Sequence, residues 1–346
     1  MQTEAAILVE LNRPLRHATL TLPELKPGQV LVEVAYSGVC HSQLHEVRGR
    51  RGPDRFLPHT LGHEGSGTVL EVGEGVHKVR PGDRVVLTWI KGRGADVPST
   101  VYRDGSTAIN SGAISTFMRH TITCESRLVP LAADIPLGEA ALLGCAVPTG
   151  AGIVINAAKI HRGASVAIFG VGGIGLSALL AARMLDADPL IAVDVVDSKL
   201  TEAVRLGATH AVNSSEREPL SAILELTGGR GVDYSIEAAG RRETMETAFR
   251  AVRNQGGLCV LAGNLPQGEQ IALDPFDLIR GKRIVGTWGG ETQPDDDIPR
   301  FVEWFQQGRL PLAELITREY PLDEVNKALA DLEQGQVARA LVKMAT

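Results

Sequence analysis

A glycine-rich turn limits the folds open to this chain more than any other segment. It lies between an apolar β-branched run and a run rich in leucine and alanine. The stretch ASVAIFGVGGIGLSALLAA covers residues 164 to 182, and its centre, GVGGIG at 170 to 175, matches the pattern G-x-G-x-x-G. Glycines at this spacing allow a tight turn, let backbone N–H groups approach a pyrophosphate, and let a helix pack closely on a strand. The N-terminus of the following helix then stabilises the anion. The pattern therefore predicts a dinucleotide-binding unit in which Gly170, Gly172, Gly173 and Gly175 bind the cofactor.

The acidic residue Asp194 indicates which dinucleotide is bound. It ends the next apolar run, LIAVD, about 20 residues beyond the last glycine, where the motif places a ribose-binding acid. Its carboxylate can accept hydrogen bonds from ribose hydroxyls, and its charge repels a 2′-phosphate. We therefore expect NAD rather than NADP. A glycine turn that serves packing alone remains the alternative.

The glycine-rich stretch also has the length of a membrane-spanning helix. It contains no charged residue in 19 positions, and a span needs about 20 apolar residues. Its glycines, however, lie in one cluster between a β-branched run and a helix-favouring run. Strand, turn and helix therefore explain the stretch better than a membrane span.

The size and charge of the chain favour two domains and small-molecule partners. It has 346 residues, of which 44% are hydrophobic and 22% charged, which is enough for two apolar cores. A formal net charge of −6 gives no long-range attraction for nucleic acid or for an anionic membrane. We expect neither as a partner.

The cysteines and the N-terminal segment favour the cytoplasm. No two cysteines are close in sequence, so they do not form a disulfide framework and are interpreted as reduced thiols or metal ligands. They are Cys40, Cys124, Cys145 and Cys259. The N-terminal segment carries Glu4 and Glu10 where a secretory signal would have basic and then apolar residues.

The pattern of strands and helices changes twice along the chain. Residues 28–38, 65–75 and 81–88 combine alternating or β-branched residues with glycine turns, which is typical of antiparallel strands. From about residue 164, apolar strands alternate with helical stretches, which is typical of a parallel α/β sheet. From about residue 288 the tail reads as helix, strand, helix and strand, and its acids Asp295 to Asp297 are interpreted as the N-cap and first turn of a helix. The predicted fold class is α/β, with a β-rich domain and a doubly wound parallel-sheet domain.

Three residues far apart in sequence have the chemistry of a catalytic zinc site. Such a site uses three protein ligands and keeps a fourth position open to water or substrate. Cys40 lies in GVCHSQLHE, His63 in LGHEGSG and Cys145 in LLGCAVPTG. Taken one at a time, each is better explained as a buried apolar cysteine or a hydrogen-bonded core histidine.

Taken together, the motifs resemble the zinc-containing alcohol dehydrogenases of the medium-chain dehydrogenase/reductase superfamily. GVCHSQLH, GHEGSGTVLEVGEGV, PGDRV, LLGCAVPTG, GVGGIG and the acid at 194 occur in the order of that family and cover nearly the whole chain. The resemblance implies a GroES-like catalytic domain over residues 1–147, completed by 288–346. It also implies a Rossmann NAD-binding domain over residues 148–287.

The resemblance implies a role for each residue that matches a family motif. It makes Cys40, His63 and Cys145 the ligands of one catalytic zinc, with Glu64 as a nearby carboxylate that acts beside the metal or on it. Ser42 matches the hydroxyl that hydrogen-bonds the alcohol, and His45 the base that passes the proton to water. His41, Lys199 and Arg339 match cofactor contacts, at the pyrophosphate for His41 and Arg339 and at the adenosine ribose for Lys199. Surface solvation remains the alternative for Lys199 and Arg339.

The chain departs from the family pattern in two places. Most of the family carries four closely spaced cysteines that bind a second, structural zinc. Here residues 87–123 contain no cysteine, and the single Cys124 directly after them cannot hold such a site. We therefore expect one zinc per chain and a rebuilt lobe. Gln43 stands where the family usually has an acid that orients the histidine ligand. Loss of such a partner typically costs ~10 to 100-fold in metal affinity or activity, so we expect a weakened or tuned site.

These observations predict an NAD- and zinc-dependent oxidoreductase that acts on an alcohol or polyol, or on the corresponding aldehyde or ketone. A zinc-dependent lyase or hydrolase on the same scaffold, and a non-catalytic NAD-binding protein, remain alternatives. Trp89 matches an aromatic residue beside the substrate, and the cluster RGRR at 48–51 would suit an anionic or polyhydroxylated one. A core tryptophan and a solvated loop are the alternatives. The resemblance also implies a homodimer or homotetramer.

Overall fold

The computed structural model describes residues 1–131 and 134–344. The chain divides into two compact units, one formed by Met1–Cys145 with Gln293–Thr346 and the other by Ala146–Thr292. These boundaries lie two and five residues from those that the sequence suggested, at 147/148 and 287/288. The second difference has a simple cause, because the Thr292 hydroxyl donates to the Pro148 carbonyl at 2.7 Å and so ties 288–292 to the second unit.

The first unit begins with a series of strands. Its elements are β1 (Gln2–Leu8), β2 (Arg16–Thr21), β3 (Gln29–Val39), α1 (His41–Val47), β4 (His59–Thr60), β5 (Glu64–Val72), β6 (Arg84–Thr88), β7 (Val101–Asp104), β8 (Thr107–Asn110), β9 (His120–Cys124), β10 (Leu128–Pro130) and α2 (Leu137–Ala141). Short 3-10 turns lie at Glu125–Arg127 and Leu142–Gly144.

The second unit alternates helices and strands, as the sequence predicts. Its elements are α3 (Ala146–Gly152), a π turn at Ile153–Ala157, β11 (Val166–Phe169), α4 (Gly173–Arg183), β12 (Leu190–Asp194), α5 (Asp197–Arg205), β13 (His210–Asn213), α6 (Pro219–Leu226), β14 (Tyr234–Glu237), α7 (Arg242–Ala251), β15 (Leu258–Leu261), α8 (Pro275–Ile279), β16 (Arg283–Gly286) and a 3-10 turn at Gly289–Glu291. The stretch 164–182 therefore forms a strand, a turn and a helix.

The tail completes the first unit. It contains α9 (Pro294–Gln306), a 3-10 turn at Leu312–Leu315, β17 (Arg318–Pro321), a 3-10 turn at Leu322–Glu324, α10 (Val325–Glu333) and β18 (Ala340–Lys343). Helix α9 has Gln293 as its N-cap and carries Asp295, Asp296 and Asp297 in its first turn. The expectation of first-turn acids is confirmed, but none of the three is the N-cap.

Strand β3 organises the first unit. Strands β1, β2, β7, β8 and β4 close into a barrel, and a seven-stranded sheet runs β10-β6-β5-β3-β18-β17 with β9 also paired to β3. Alternate residues of β3 face opposite sides, so Val30 and Val32 lie in one apolar core while Leu31 lies in the core of the barrel. Strand β18 pairs antiparallel with the end of β3, with Ala340 opposite Val39. This pairing places tail residues beside the loop that begins at Cys40.

The second unit is a doubly wound parallel sheet. Its strands run in the order β13-β12-β11-β14-β15-β16, and every pairing is parallel. The order reverses between β11 and β14, and in such sheets ligands bind at the carboxyl ends of the strands at this reversal. Among residues 1–131 and 134–344, no single helix is both long and apolar enough to cross a membrane, and one bent helix pair passes that test on length and composition alone.

Candidate active site

Cys40, His63 and Cys145 converge in the first unit. Cys40 follows β3 and is the N-cap of α1, His63 directly precedes β5, and Cys145 follows the 3-10 turn at Leu142–Gly144. Their sulfur and ring-nitrogen atoms all lie within 4.8 Å of one another. In the part of the chain that the structure describes, no other three His, Cys, Asp or Glu ligand atoms converge in this way.

The donor atoms of this cluster fit zinc. Two thiols and an imidazole are ligands that zinc prefers, and three protein ligands leave a fourth position for substrate. The Cys145 thiol donates to the Cys40 sulfur, which holds the pKa of Cys40 well below its usual value and raises that of Cys145. Burial lowers the pKa of His63, but the hydrogen bond with the Cys40 sulfur and the negative charges of Cys40 and Glu64 together raise that pKa above its usual value. A thiolate is therefore already favoured beside the imidazole.

Gln43 joins two residues of the three-residue cluster. Its side chain is fully buried, its Oε1 accepts the Cys40 backbone N–H at 2.7 Å, and its Nε2 lies 2.5 Å from Nδ1 of His63. The first bond arises because Gln43 is the third residue of α1 and reaches back to the N-cap, which is capping-box geometry. The sequence places Gln43 beside the histidine by resemblance, and the structure adds its bond to Cys40.

Glu64 and Arg339 form a buried ion pair beside the cluster. Glu64 is fully buried and Arg339 is 4% exposed. One guanidinium nitrogen of Arg339 pairs with Oε1 of Glu64, and another donates to the Val39 carbonyl at 3.3 Å. A Cβ at Gly38 would lie 2.5 Å from the Glu64 carboxylate, so only glycine fits there. Thus the Glu64 carboxylate pairs with Arg339 and is not part of the three-residue cluster. The cofactor contact of Arg339 remains a prediction.

Ser42 and His45 lie on helix α1, which starts immediately after Cys40. The Ser42 hydroxyl lies 3.4 Å from Nε2 and 3.5 Å from Nδ1 of His63. His45 is in the last turn of the helix. Burial, followed by the charges of Arg50 and His41, lowers the pKa of His45 from its ordinary 6.5. His45 is therefore neutral over most of the physiological range and able to accept a proton.

The other residues singled out near α1 are mostly engaged elsewhere. Arg48 makes a two-point ion pair with Glu333, at 3.0 and 2.5 Å. Arg51 pairs with Glu46 at 2.6 Å, and its side chain is 52% exposed. Trp89 is partly buried and packs against the apolar core of the first unit. These contacts match the solvated-loop and core explanations for most of the cluster and for Trp89.

In the second unit, the glycine turn has the shape that a dinucleotide requires. Gly170 has a φ of +86°. A Cβ added to Gly170 would lie 2.7 Å from the backbone nitrogen of Ala239, so only glycine fits there. A Cβ at Gly175 would lie 2.0 Å from the Gly170 carbonyl oxygen, whereas one at Gly172 would meet nothing within 4 Å. Gly173 begins helix α4. The turn therefore offers open backbone at a helix N-terminus, where a pyrophosphate fits.

Asp194 supports this turn from the end of β12. Its Oδ2 accepts the Val171 N–H at 3.0 Å, and its Oδ1 accepts the N–H groups of Val195 at 2.8 Å and Val196 at 3.1 Å. The carboxylate is partly exposed, so lone pairs remain for ribose hydroxyls. Lys199 lies partly exposed in the first turns of α5, and its cofactor contact remains a prediction.

Comparisons with known proteins cover both units. The model of the alcohol dehydrogenase GroES-like domain matches residues 26–133, and that of the zinc-binding dehydrogenase matches residues 173–307. The S-(hydroxymethyl)glutathione dehydrogenase of Paracoccus denitrificans is 32% identical, over 99% of this chain and 100% of that protein. The chain belongs to the zinc-containing alcohol dehydrogenase family. Its membership confirms the predicted family within the medium-chain dehydrogenase/reductase superfamily.

Solved structures of other alcohol dehydrogenases share the fold along the whole chain. Benzyl alcohol dehydrogenase from Acinetobacter calcoaceticus has a TM-score of 0.91 at 30% identity and covers 100% of both chains. An alcohol dehydrogenase zinc-binding domain protein from Burkholderia ambifaria has a TM-score of 0.92 at 32% identity, again with 100% coverage of both. The α/β fold class, with its GroES-like and Rossmann domains, and an NAD- and zinc-dependent alcohol oxidoreductase are thus confirmed. A lyase or hydrolase is not favoured.

In this alcohol dehydrogenase, a carboxylate occupies the lobe in which most of the family carries four cysteines. Glu125 is 4% exposed and accepts the backbone N–H groups of His77 and Lys78 on Oε1 and of Ala95, at 2.8 Å, on Oε2. A Cβ at Gly94 would lie 2.7 Å from Oε2 of Glu125, so the loop needs glycine there. Glu125 thus ties residues 77–78 to residues 94–95.

Two structural features were missed by sequence reasoning. The hairpin of β7 and β8 turns at Gly105-Ser106, and a Gly-Ser pair between β-like runs is a hairpin signal that was available. The bonds of Glu125 had no signal, because its partners lie 30 to 48 residues away in sequence and no local pattern links them.

Proposed function

We propose that Cys40, His63 and Cys145 hold the catalytic zinc of this NAD-dependent alcohol dehydrogenase. The observation that carries the proposal is the convergence of their three ligand atoms within 4.8 Å. Zinc bound at such a site supplies a Lewis acid that lowers the pKa of a coordinated hydroxyl or polarises a carbonyl. Glu64 and Arg339 keep the surroundings of the cluster charge-balanced, and Gln43 fixes the orientation of its ligands.

We propose that Ser42 and His45 move the proton. The Ser42 hydroxyl, beside the His63 ring, is placed to accept the proton of the substrate alcohol and to donate its own onward. His45, neutral because burial lowers its pKa below 6.5, accepts the proton and releases it to water. In carbonyl reduction the same residues deliver the proton in the opposite direction.

The cofactor assignments support NAD as the hydride carrier. The N–H groups of the turn at Gly170 to Gly175 would bind its pyrophosphate, and Asp194 its adenosine ribose. His41, Lys199 and Arg339 are proposed as further contacts of the dinucleotide. NAD bound there supplies the acceptor for the hydride of the alcohol.

The proposed substrates are primary alcohols and their aldehydes, with polyols and ketones as a wider class. S-(hydroxymethyl)glutathione and benzyl alcohol, after which two of the relatives are named, both carry a CH2OH group. A screen of alcohols, polyols and aldehydes that follows the absorbance of NADH tests this class. We expect turnover by the zinc-loaded wild type, and none by Cys145→Ala with its zinc lost. Turnover by Cys145→Ala equal to that of wild type would contradict the zinc assignment.

We propose that the enzyme works in the cytoplasm. Its four cysteines are free thiols, and a site that depends on two thiolates suits a reducing compartment. Localisation of a tagged chain in its native host tests this proposal. Export of the tagged chain would contradict it.

We further propose a homodimer or homotetramer. Strand β16 ends the parallel sheet and pairs on one side with β15. Large exposed apolar side chains are concentrated around it, namely Phe276, Leu278, Ile279, Val285 and Trp288, and such concentrations mark interfaces. Light scattering should give a mass of two or four chains, and Val285→Lys should lower it. A monomeric wild type would contradict this proposal.

A further inference from the structure

Glu237 is a buried acid that the proposed mechanism does not use. It ends strand β14 and is fully buried. Its Oε1 accepts three hydrogen bonds, from the N–H groups of Ala239 at 3.0 Å and Gly240 at 2.8 Å and from the hydroxyl of Thr244 at 2.7 Å. Its Oε2 is buried and has no partner among the described residues. Burying a carboxylate with one oxygen unsatisfied is costly, so the position calls for an explanation.

Glu237 lies at the reversal of strand order in the second unit. It is opposite Phe169, the last residue of β11, and opposite Leu261, the last residue of β15. The carboxyl ends of these strands are where such sheets bind their ligands. Glu237 is therefore placed under the loops that form the dinucleotide crevice, although its own side chain is closed off from solvent.

The loop that Glu237 holds touches the first glycine of the cofactor motif. The Ala238 N–H donates to the Phe169 carbonyl at 2.8 Å, and a Cβ on Gly170 would lie 2.7 Å from the Ala239 nitrogen. Two of the three groups that Glu237 anchors are the N–H groups of Ala239 and Gly240. Their position therefore decides how closely this loop approaches Gly170 and, through it, where the GVGGIG turn lies.

The third loop at this edge packs on the same carboxylate. A Cβ on Gly263 would lie 2.5 Å from Oε2 of Glu237 and 2.3 Å from the Gly240 nitrogen. The Glu237 carbonyl also accepts the N–H of Gly263 at 3.1 Å. Glycine at 263 allows this approach, so the loops after β14 and β15 meet at the Glu237 side chain, and the loop after β11 contacts the first of them at Ala239.

We propose that Glu237 is a positioning residue for the dinucleotide: its carboxylate fixes the loop 238–240 against Gly170 and so sets the shape of the turn that binds the cofactor pyrophosphate. This proposal rests on the NAD site proposed above. Burial raises the pKa of Glu237, although hydrogen bonds from Thr244, Gly240 and Ala239 oppose this rise. The protein therefore does not favour the ionised form of this carboxyl. The neutral amide of Gln, which keeps an acceptor oxygen, should accordingly substitute in part.

The matched control lies at the other end of the same strand. Asp233 directly precedes β14 and accepts the N–H and hydroxyl of Ser165, at 2.9 and 2.7 Å, and Nε of Arg253 at 2.7 Å. It thus makes as many hydrogen bonds as Glu237, but at the amino end of the sheet. Asp233→Ala therefore removes a comparable set of bonds without touching the loops of the crevice.

The experiment measures the dissociation constant of NADH by fluorescence for the zinc-loaded wild type, Glu237→Ala, Glu237→Gln and Asp233→Ala, together with their melting temperatures and zinc contents. We expect Glu237→Ala to bind NADH at least ~10-fold more weakly, equivalent to ~1.4 kcal/mol, with zinc content unchanged. Glu237→Gln should recover part of the affinity. Asp233→Ala should melt at a lower temperature but bind NADH as the wild type does.

Two outcomes would overturn the proposal while the wild type still binds NADH. One is unchanged NADH affinity in Glu237→Ala, and the other is an equal loss of affinity in Asp233→Ala, which would show a general effect of instability. A wild type that fails to bind NADH would instead contradict the proposed NAD site itself. A KM for NAD that rises in Glu237→Ala while kcat stays within about twofold, equivalent to less than ~0.5 kcal/mol, would support the positioning role.

Discussion

At the scale of the residue, the Gln43 amide has one acceptor oxygen for two neighbouring donors, whereas a carboxylate would have two. An amide has one acceptor end and one donor end, and here Oε1 takes the Cys40 N–H while Nε2 faces Nδ1 of His63. A histidine that binds metal through Nε2 carries hydrogen on Nδ1 and needs an acceptor there. The single amide oxygen lies on the Cys40 side, whereas a carboxylate would offer an oxygen to each donor.

We therefore predict that Gln43→Glu binds zinc more tightly, by ~10-fold on the scale of such partners. Competition with a chromophoric chelator measures this affinity. The matched control is Gln29→Glu, because Gln29 is also buried in the first unit but bonds Lys26 and Thr100. Equal or weaker zinc binding by Gln43→Glu would show that the amide already satisfies both ligands.

The Glu64–Arg339 pair supports a second prediction at this scale. Arg339→Met leaves the Glu64 carboxylate buried without its partner, which should lower the free energy of unfolding by ~3–5 kcal/mol. Adding Glu64→Gln to Arg339→Met should restore part of the loss. Denaturant unfolding measures both, with Lys327→Met as control, because the pair of Lys327 with Glu324 is exposed. A loss no larger than that of the control would show that the Glu64 carboxylate does not depend on the charge of Arg339.

At the scale of the element, Asp194 joins the end of β12 to the glycine turn. We predict that Asp194→Gly relaxes the preference for NAD over NADP, because the charge that repels a 2′-phosphate is removed. The ratio of kcat/KM for the two cofactors measures this preference. Asp194→Asn is the control, since it keeps an acceptor for the Val171 N–H but not the charge, and its ratio should also fall. An unchanged ratio in both variants would mean that another residue discriminates between NAD and NADP.

The lobe that lacks the family's cysteines depends on Glu125. We predict that Glu125→Ala lowers the free energy of unfolding by ~3 kcal/mol, the scale of losing hydrogen bonds to a charged group, with zinc content unchanged. Urea unfolding compares it with Glu74→Ala, whose acid is exposed. Burial raises the pKa of Glu125, but the N–H groups of Ala95, Lys78 and His77 outweigh burial and lower it below the ordinary 4.5. The charge-dependent contribution of Glu125 is therefore present above pH 4.5 and lost as the pH falls below it, so the difference in stability between wild type and Glu125→Ala should narrow in acid.

The elements that could be predicted are those whose pattern is local. Strands such as β11 and β12 are continuous apolar runs, and α4 follows directly from the cofactor motif, so short windows of sequence define them. The lobe could not be predicted in the same way. Its stability depends on Glu125 and on Asp295, which pairs with Lys78 and bonds the Arg93 N–H at 2.6 Å, and these contacts join segments up to 202 residues apart.

At the scale of the whole molecule, the metal content is the most direct test. We predict close to one zinc per chain, because the described residues bring together one set of ligands, Cys40, His63 and Cys145. Elemental analysis of protein purified in zinc and dialysed against buffer measures the ratio. Cys145→Ala should bring it near zero. A reproducible value near two in the wild type would reveal a second site.

The return of the tail to the first unit was available from sequence only through family resemblance, whereas chain length and pattern already favoured two domains. Patterns showed a β-rich start, an α/β middle and a mixed tail, but not that the tail rejoins the start. That return depends on pairs such as Leu341 opposite Gly38, which no short-range rule relates. The ion pair of Glu64 with Arg339 was hidden for the same reason, since 275 residues separate them.

The pairing of β18 with β3 also determines when the site can be finished during synthesis. Cys40, His63 and Cys145 leave the ribosome early, but the segment Tyr36–Val39 keeps an open edge until residues 340–343 emerge. Arg339, which neutralises the acid beside the ligands, emerges at the same late moment. The nascent chain therefore carries an unpaired strand edge, open to wrong partners, while the nucleotide-binding unit is already complete. A complete centre therefore requires the segment 339–343, although Cys40, His63 and Cys145 all lie within the first 145 residues.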